Sequence, residues 1–77
     1  MKYGYKTIMN REGEWIYEDG LDMREEWRKR FGHDANTTEL LNYYGGEGWL
    51  VTTDSAYAYG EDGEHQIRRI ILRREIT

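Results

Sequence analysis

The chain has no cysteine. That removes disulfide bonds, thiolate metal ligands and a cysteine nucleophile together. No apolar run approaches the roughly 18 residues that a membrane-spanning helix requires. Met1 leads into strand-like sequence and not into a basic segment followed by an apolar one, so the expected setting is cytoplasmic, with no membrane partner. Ser55 is the only serine, and it lies outside any G-x-S-x-G elbow. The two histidines, His33 and His65, each stand beside a carboxylate but far apart in sequence, short of the convergent ligand set that a metal demands. Glu25 and Glu26 are adjacent, so on a helix they point to different faces and cannot act as a pair. The sequence therefore predicts no catalytic residue, no metal, no cofactor and no enzyme.

What the chain does have is aromatic residues. Three Trp, seven Tyr and one Phe make up 14% of 77 residues, while aliphatic residues are scarce. A chain of this length forms one domain, residues 1–77, and buries only about 60–65% of the surface its unfolded form exposes. A core this thin predicts a homodimer or larger homo-oligomer, since small domains commonly borrow area from a second copy. Eleven basic and fifteen acidic side chains give a net charge of −4, against the basic footprint of a general nucleic-acid binder. The basic charge is nonetheless clustered, with Arg68, Arg69, Arg73 and Arg74 in seven positions.

Residues 2–9, KYGYKTIM, alternate with the period of a strand. Tyr3, Tyr5, Thr7 and Met9 share one face, and Lys2, Gly4, Lys6 and Ile8 the other. NREGE supplies turn chemistry, and EWIYE completes a hairpin. LDMREEWRKRFG reads as a helix: Asp22 caps it, acids fill its first turn, Arg28, Lys29 and Arg30 its last, and Gly32 follows. Its stripe at helical spacing is Met23, Trp27 and Phe31 or Arg30, expected to pack on the sheet. HDANTTELLNYYGG reads as a second helix, capped by Asn36 or Thr37, with Leu40, Leu41 and Tyr44 inward and Gly45 as its left-handed stop. GWLVTTDSAYAY and EHQIRRIILRREI flank GEDG as a long hairpin about Asp62 and Gly63, pairing Val51 with Leu72, Thr53 with Ile70 and Thr52 with Ile71. The expected class is α+β, with a small antiparallel sheet of three to four strands packed by one or two short helices.

Residues 45–51, GGEGWLV, look at first like a phosphate cradle. Such a loop needs a strand before it and a helix after it, whereas here a helix precedes the glycines and a strand follows. The segment is expected to act as a joint: Gly45 or Gly46 takes positive φ, Gly48 allows a close turn, and Trp49 anchors on the core.

Three segments resemble a bacterial and phage family catalogued as domain of unknown function 4177. YGYKTI is similar to its opening Y-x-Y-K-V-V strand, LLNYYGGEGWLV to its L-L-N-x-L-G-x-E-G-W-E-L-V, and RIILRREI to its closing L-I-F-K-R-x-I strand. The resemblance implies a strand, helix, strand, strand domain without an agreed activity, and residues 10–36 would then be an insertion.

Two candidate surfaces follow from the side chains. Arg68, Arg69, Arg73 and Arg74, with Tyr57 and Tyr59, could hold an anionic small ligand such as a nucleotide, because guanidinium forks grip phosphate and tyrosine rings stack on bases. On a strand, Arg68 and Arg74 fall on one face and Arg69 and Arg73 on the other. Given the resemblance to phage proteins, one concrete version is a protein that sequesters a nucleotide immune signal. Alternatively, Trp27, Arg28 and Phe31 of the inserted helix, or the sheet edge, would inhibit or recruit a host protein.

Overall fold

The computed structural model describes residues 2–76. Five strands, β1 (Lys2–Arg11), β2 (Glu14–Glu18), β3 (Leu21–Asp22), β4 (Leu50–Tyr59) and β5 (His65–Ile76), accompany two helices, α1 (Arg24–Phe31) and α2 (Thr37–Gly46). They form one antiparallel sheet in the order β3-β2-β1-β5-β4. The α+β class holds, with five strands instead of three or four. The extra strand, β3, spans two residues and follows a tight turn in which Asp19 and Gly20 both have positive φ (51° and 84°). That is the geometry an Asp-Gly pair favours. In that turn Thr7 N donates to Asp19 Oδ1 and Asp19 N to the Thr7 carbonyl, both at 2.8 Å.

Both helices lie on one face. Ile8, Trp15, Ile70 and Leu72 from the sheet meet Trp27, Leu40 and Tyr44 from the helices in a single cluster, bordered by Met23, Phe31, Leu41 and Trp49. The indole N–H of Trp15 donates to Thr37 Oγ1 at 2.9 Å, and the Tyr44 hydroxyl donates to Glu18. Lys6 Nζ approaches Glu18 at 3.3 Å. Burial, and then the Glu18 carboxylate, push the Tyr44 hydroxyl above its ordinary pKa.

Helix termini and register depart from the sequence reading at three places. Asp22 is not the cap of α1. Met23 holds that position without a side-chain bond, and Asp22 belongs to β3, where its carboxylate accepts from Arg24 N at 3.1 Å and pairs with the Arg24 guanidinium. The stop of α2 is not at Gly45 or Gly46, which are helical. The positive φ falls at Gly48 (90°), after Glu47 closes the helix. In the long hairpin Val51 does face Leu72, but Thr53 faces Ile71 because the register shifts between Val51 and Thr53. Thr52 turns out of the ladder there and its hydroxyl donates to the Ile71 carbonyl at 3.0 Å, the mark of a bulge.

The cap of α2 is Asn36, in a full capping box: Asn36 Oδ1 accepts from Glu39 N at 2.8 Å, and Glu39 accepts from Asn36 N at 3.2 Å. His33 Nε2 also bonds Glu39, at 2.7 Å. That bond, foremost, holds the Glu39 carboxyl below its usual pKa. A depressed carboxylate contributes stability above its unfolded pKa of about 4.3 and loses that contribution as pH falls through the folded value. Melting temperature should therefore decline in acid, and Glu39→Gln should flatten this part of the decline in melts recorded across pH. Leu40→Ala, at a fully buried position, should cost about 2–5 kcal/mol in denaturant unfolding. Asn36→Ala should cost about 1 kcal/mol.

Candidate functional site on the uncovered sheet face

Pairing and burial together assign every strand residue to a face. Side chains paired across antiparallel strands share a side, and neighbours along a strand alternate. Ile8, Ile70 and Leu72 lie under the helices, so Lys6, Arg68 and Arg74 share that side. Tyr3, Tyr5, Thr7, Met9 and Arg11 of β1, Tyr17 of β2, His65, Ile67, Arg69, Ile71, Arg73 and the acid Glu75 of β5, and Thr53, Ser55, Tyr57 and Tyr59 of β4 occupy the other. No helix packs on this second face. Five of the seven tyrosines stand there, the remaining two, Tyr43 and Tyr44, being in α2.

The arginines of β5 divide as alternation requires, and the two sides treat them differently. Arg68 donates to both oxygens of Asp54, at 3.0 and 2.7 Å, and lies over the Trp15 ring; hydrogen bonding from Arg68 holds the Asp54 carboxyl below its usual pKa. Arg74 lies over Trp49, 4.5 Å from the ring centroid, and donates to the Glu47 carbonyl at 3.1 Å. Both have partners on the helix side of the sheet, so neither is free to grip a ligand on the uncovered face. The four arginines of β5 therefore divide into two engaged on the helix side and two, Arg69 and Arg73, on the open side.

On the open side, none of Arg11, Arg69 and Arg73 has a carboxylate partner among the described residues. Arg69 sits between Met9 and Ser55, with Ile67 and Ile71 flanking it along the strand, and its Nε is buried without a hydrogen bond. Arg73 lies 4.8 Å from the ring centroid of Tyr3. Arg11 stands beside Tyr59, whose hydroxyl foremost raises its pKa, and Tyr17 acts in the same direction. Arg11 is two residues from Met9, the partner of Arg69, so the two guanidinium stems are diagonal neighbours about 7–8 Å apart. Arg73 is farther, about 13 Å along β5 from Arg69 at the rise of a strand. Arg11 and Arg69 are thus close enough to grip one anion, while Arg73 is a separate point of charge.

Tyr57 pairs with Ile67, and Tyr59 stacks on His65 with centroids 4.9 Å apart. Neither reaches Tyr3 or Tyr5, because β5 separates β4 from β1. A hollow of about 380 Å³ opens over β1 and β2, lined by Thr7, Met9, Tyr17 and Gly20. Arg11 and Tyr17 were missed in the sequence, although alternation carried on from Met9 would have put Arg11 on this face.

The inserted helix offers less than its sequence suggested. Trp27 is fully buried in the core, so no partner reaches its ring. Phe31 is half-buried and packs edge-on against Tyr43, and Arg28 is held by Asp34 and Glu14. Among the described residues no group of three or more His, Asp or Glu side chains could hold a metal ion.

A buried guanidinium nitrogen without a partner costs stability. Arg69→Met should therefore leave the melting temperature unchanged or raise it, whereas Arg68→Met, which strands Asp54, should lower it. Thermal denaturation of the two variants side by side checks this contrast.

No protein-family model, no curated protein and no solved structure matches the chain.

Proposed function

We propose that the uncovered sheet face is a non-catalytic binding surface for an anionic small ligand of the nucleotide kind. The observation that carries this reading is the concentration of five tyrosines and three arginines without carboxylate partners on one face of a chain whose net charge is −4. Arg11 and Arg69 take a phosphate between them, as charge-assisted bonds from guanidinium favour. Tyr17, Tyr57 and Tyr59 surround that point and offer rings on which a base stacks. Arg73, about 13 Å along β5 from Arg69, supplies a second charge for a ligand that carries more than one phosphate. On this reading the protein works by holding its ligand, and the sequestration of a nucleotide signal is one use of such a surface. Kinship with the family catalogued as domain of unknown function 4177 belongs to the same proposal. It is supported by β1, α2 and β5 falling on the resembling segments and β4 beginning at the end of the second, while β2, β3 and α1 lie within residues 10–36.

A ligand that binds only the folded chain stabilises it by RT ln(1 + [L]/Kd), about 2.7 kcal/mol at a hundredfold excess over Kd. For a domain of this size that raises the melting temperature by roughly 10–20 °C. A panel of mononucleotides, linear dinucleotides and cyclic dinucleotides should contain at least one such ligand, and Arg69→Met and Tyr57→Ala should each weaken its calorimetric affinity. A panel without any shift, or a shift that survives Arg69→Met together with Arg11→Met, would remove the reading.

A further inference from the structure

β4 is the long edge of the sheet, and all ten of its residues are exposed. The opposite edge, β3, is two residues long. An edge strand presents a row of unpaired N–H and C=O groups, and natural proteins blunt such edges with lysine, proline, bulges or brevity. β4 has neither lysine nor proline. Its bulge lies at Thr52, which leaves residues 53–59 regular. Its single charged side chain, Asp54, is already matched by Arg68 at 2.7 Å. The strand itself therefore opposes a second copy with no uncompensated charge, despite the acidity of the whole chain.

The two ends of the same hairpin carry opposite unmatched charge. Its tip holds Glu61 and Asp62, neither of which has a cationic partner among the described residues, and its base holds Arg73 and Arg74 against the single acid Glu75, none of the three in an ion pair among the described residues. Arg73 is directly across from Leu50, at the beginning of β4. In an antiparallel pairing of β4 with β4 of a second copy about an axis near Ala56, the tip of each hairpin lies alongside the Leu50 end of the other. Successive strands are about 4.8 Å apart, so the acidic tip of one copy is about 10 Å from the Arg73 backbone of its partner, within reach of an arginine and a glutamate side chain extended toward each other. The symmetry makes the contact twice.

We infer that β4 is a homodimerisation edge, at which two copies join antiparallel into one continuous sheet with Glu61 and Asp62 of each facing Arg73 of the other. This rests on the backbone edge and the charge at the hairpin's ends, and it shares only Arg73 with the ligand reading, whose phosphate grip is at Arg11 and Arg69. It also gives a physical form to the second copy that the thin core predicted.

Sedimentation velocity and native mass spectrometry across the micromolar range test it on the full chain. The wild type should be dimeric. Ala56→Lys, which sets two lysines against each other at the axis, should raise the dimer dissociation constant roughly tenfold or more. Arg73→Glu should weaken the dimer as well, and adding Glu61→Arg and Asp62→Arg to it should restore association, with circular dichroism establishing that each variant is folded. Should Ala56→Lys not fold, the charge exchange carries the test alone. A wild type that is monomeric throughout overturns the proposal and leaves the edge to a strand of a different protein. A dimer indifferent to both Ala56→Lys and Arg73→Glu uses another surface and overturns it equally.

Discussion

Two short helices have to bury the apolar side of a much longer sheet, and that mismatch shapes everything else. At 1.5 Å per residue, the eight residues of α1 and ten of α2 span about 12 and 15 Å. At about 3.3 Å per residue, the twelve residues of β5 span about 40 Å. The helices can therefore cover only the part of one face around Ile8, Ile70 and Leu72, and the buried cluster is confined there. Two consequences follow from the same shortage. The far end of the β4–β5 hairpin extends without cover on either side, and the second face of the sheet has no layer over it at all.

The polar side chains follow this division. Around the helices, charges are matched: Arg68 with Asp54, Lys6 with Glu18, Arg28 with Asp34, Arg24 with Asp22. On the uncovered face, Arg11 and Arg73 have tyrosines as neighbours, and Arg69 lies among Met9, Ser55, Ile67 and Ile71. Exposed ion pairs contribute little to stability, so the pairing around the helices is not what holds the fold. Its importance is that it occupies Arg68, while Arg74 is held by Trp49 and the Glu47 carbonyl, which leaves Arg69 and Arg73 as the arginines of β5 on the open side. Arg69 is the sharpest case, because a partly buried guanidinium without a partner is a cost the fold carries for no structural return.

Alternation in the sequence was sufficient to divide Arg68 and Arg74 from Arg69 and Arg73 and to place Tyr3 and Tyr5 opposite Ile8. It failed where one residue changes the count. The bulge at Thr52 moves Thr53 from Ile70 to Ile71, and nothing in LVTTDS marks which threonine leaves the ladder, since its cause is a hydroxyl reaching a carbonyl on the next strand. β3 is too short to show any period, although the Asp19-Gly20 turn before it was readable. Arg11 was lost for a different reason: it stands in NREGE, whose turn residues outweigh the strand signal, and β1 runs one residue past Asn10 before Glu12 and Gly13 turn it. The candidate site was thus legible in its β4 and β5 parts and invisible in its β1 and β2 parts, because its completeness depends on which strands lie side by side.

The glycine run between α2 and β4 connects these features. Gly48 takes φ 90°, where a side chain would be strained, and a Cβ added there would meet Arg74 Cδ at 3.5 Å. The close turn brings Trp49 N to the Tyr44 carbonyl at 3.0 Å and lays Arg74 over the Trp49 ring, so helix, joint and central strand are clasped at one point. That clasp sets where β4 starts along β5, and with it the position of Tyr57 beside Ile67 on one side of the strand and of the free edge on the other. If two copies join at that edge, their uncovered faces become continuous and the tyrosines of both β4 strands approach the axis. A ligand touching Tyr57 would then contact a surface that exists in full only in the dimer, and by linkage its binding and the association of the chains would strengthen each other by the same factor.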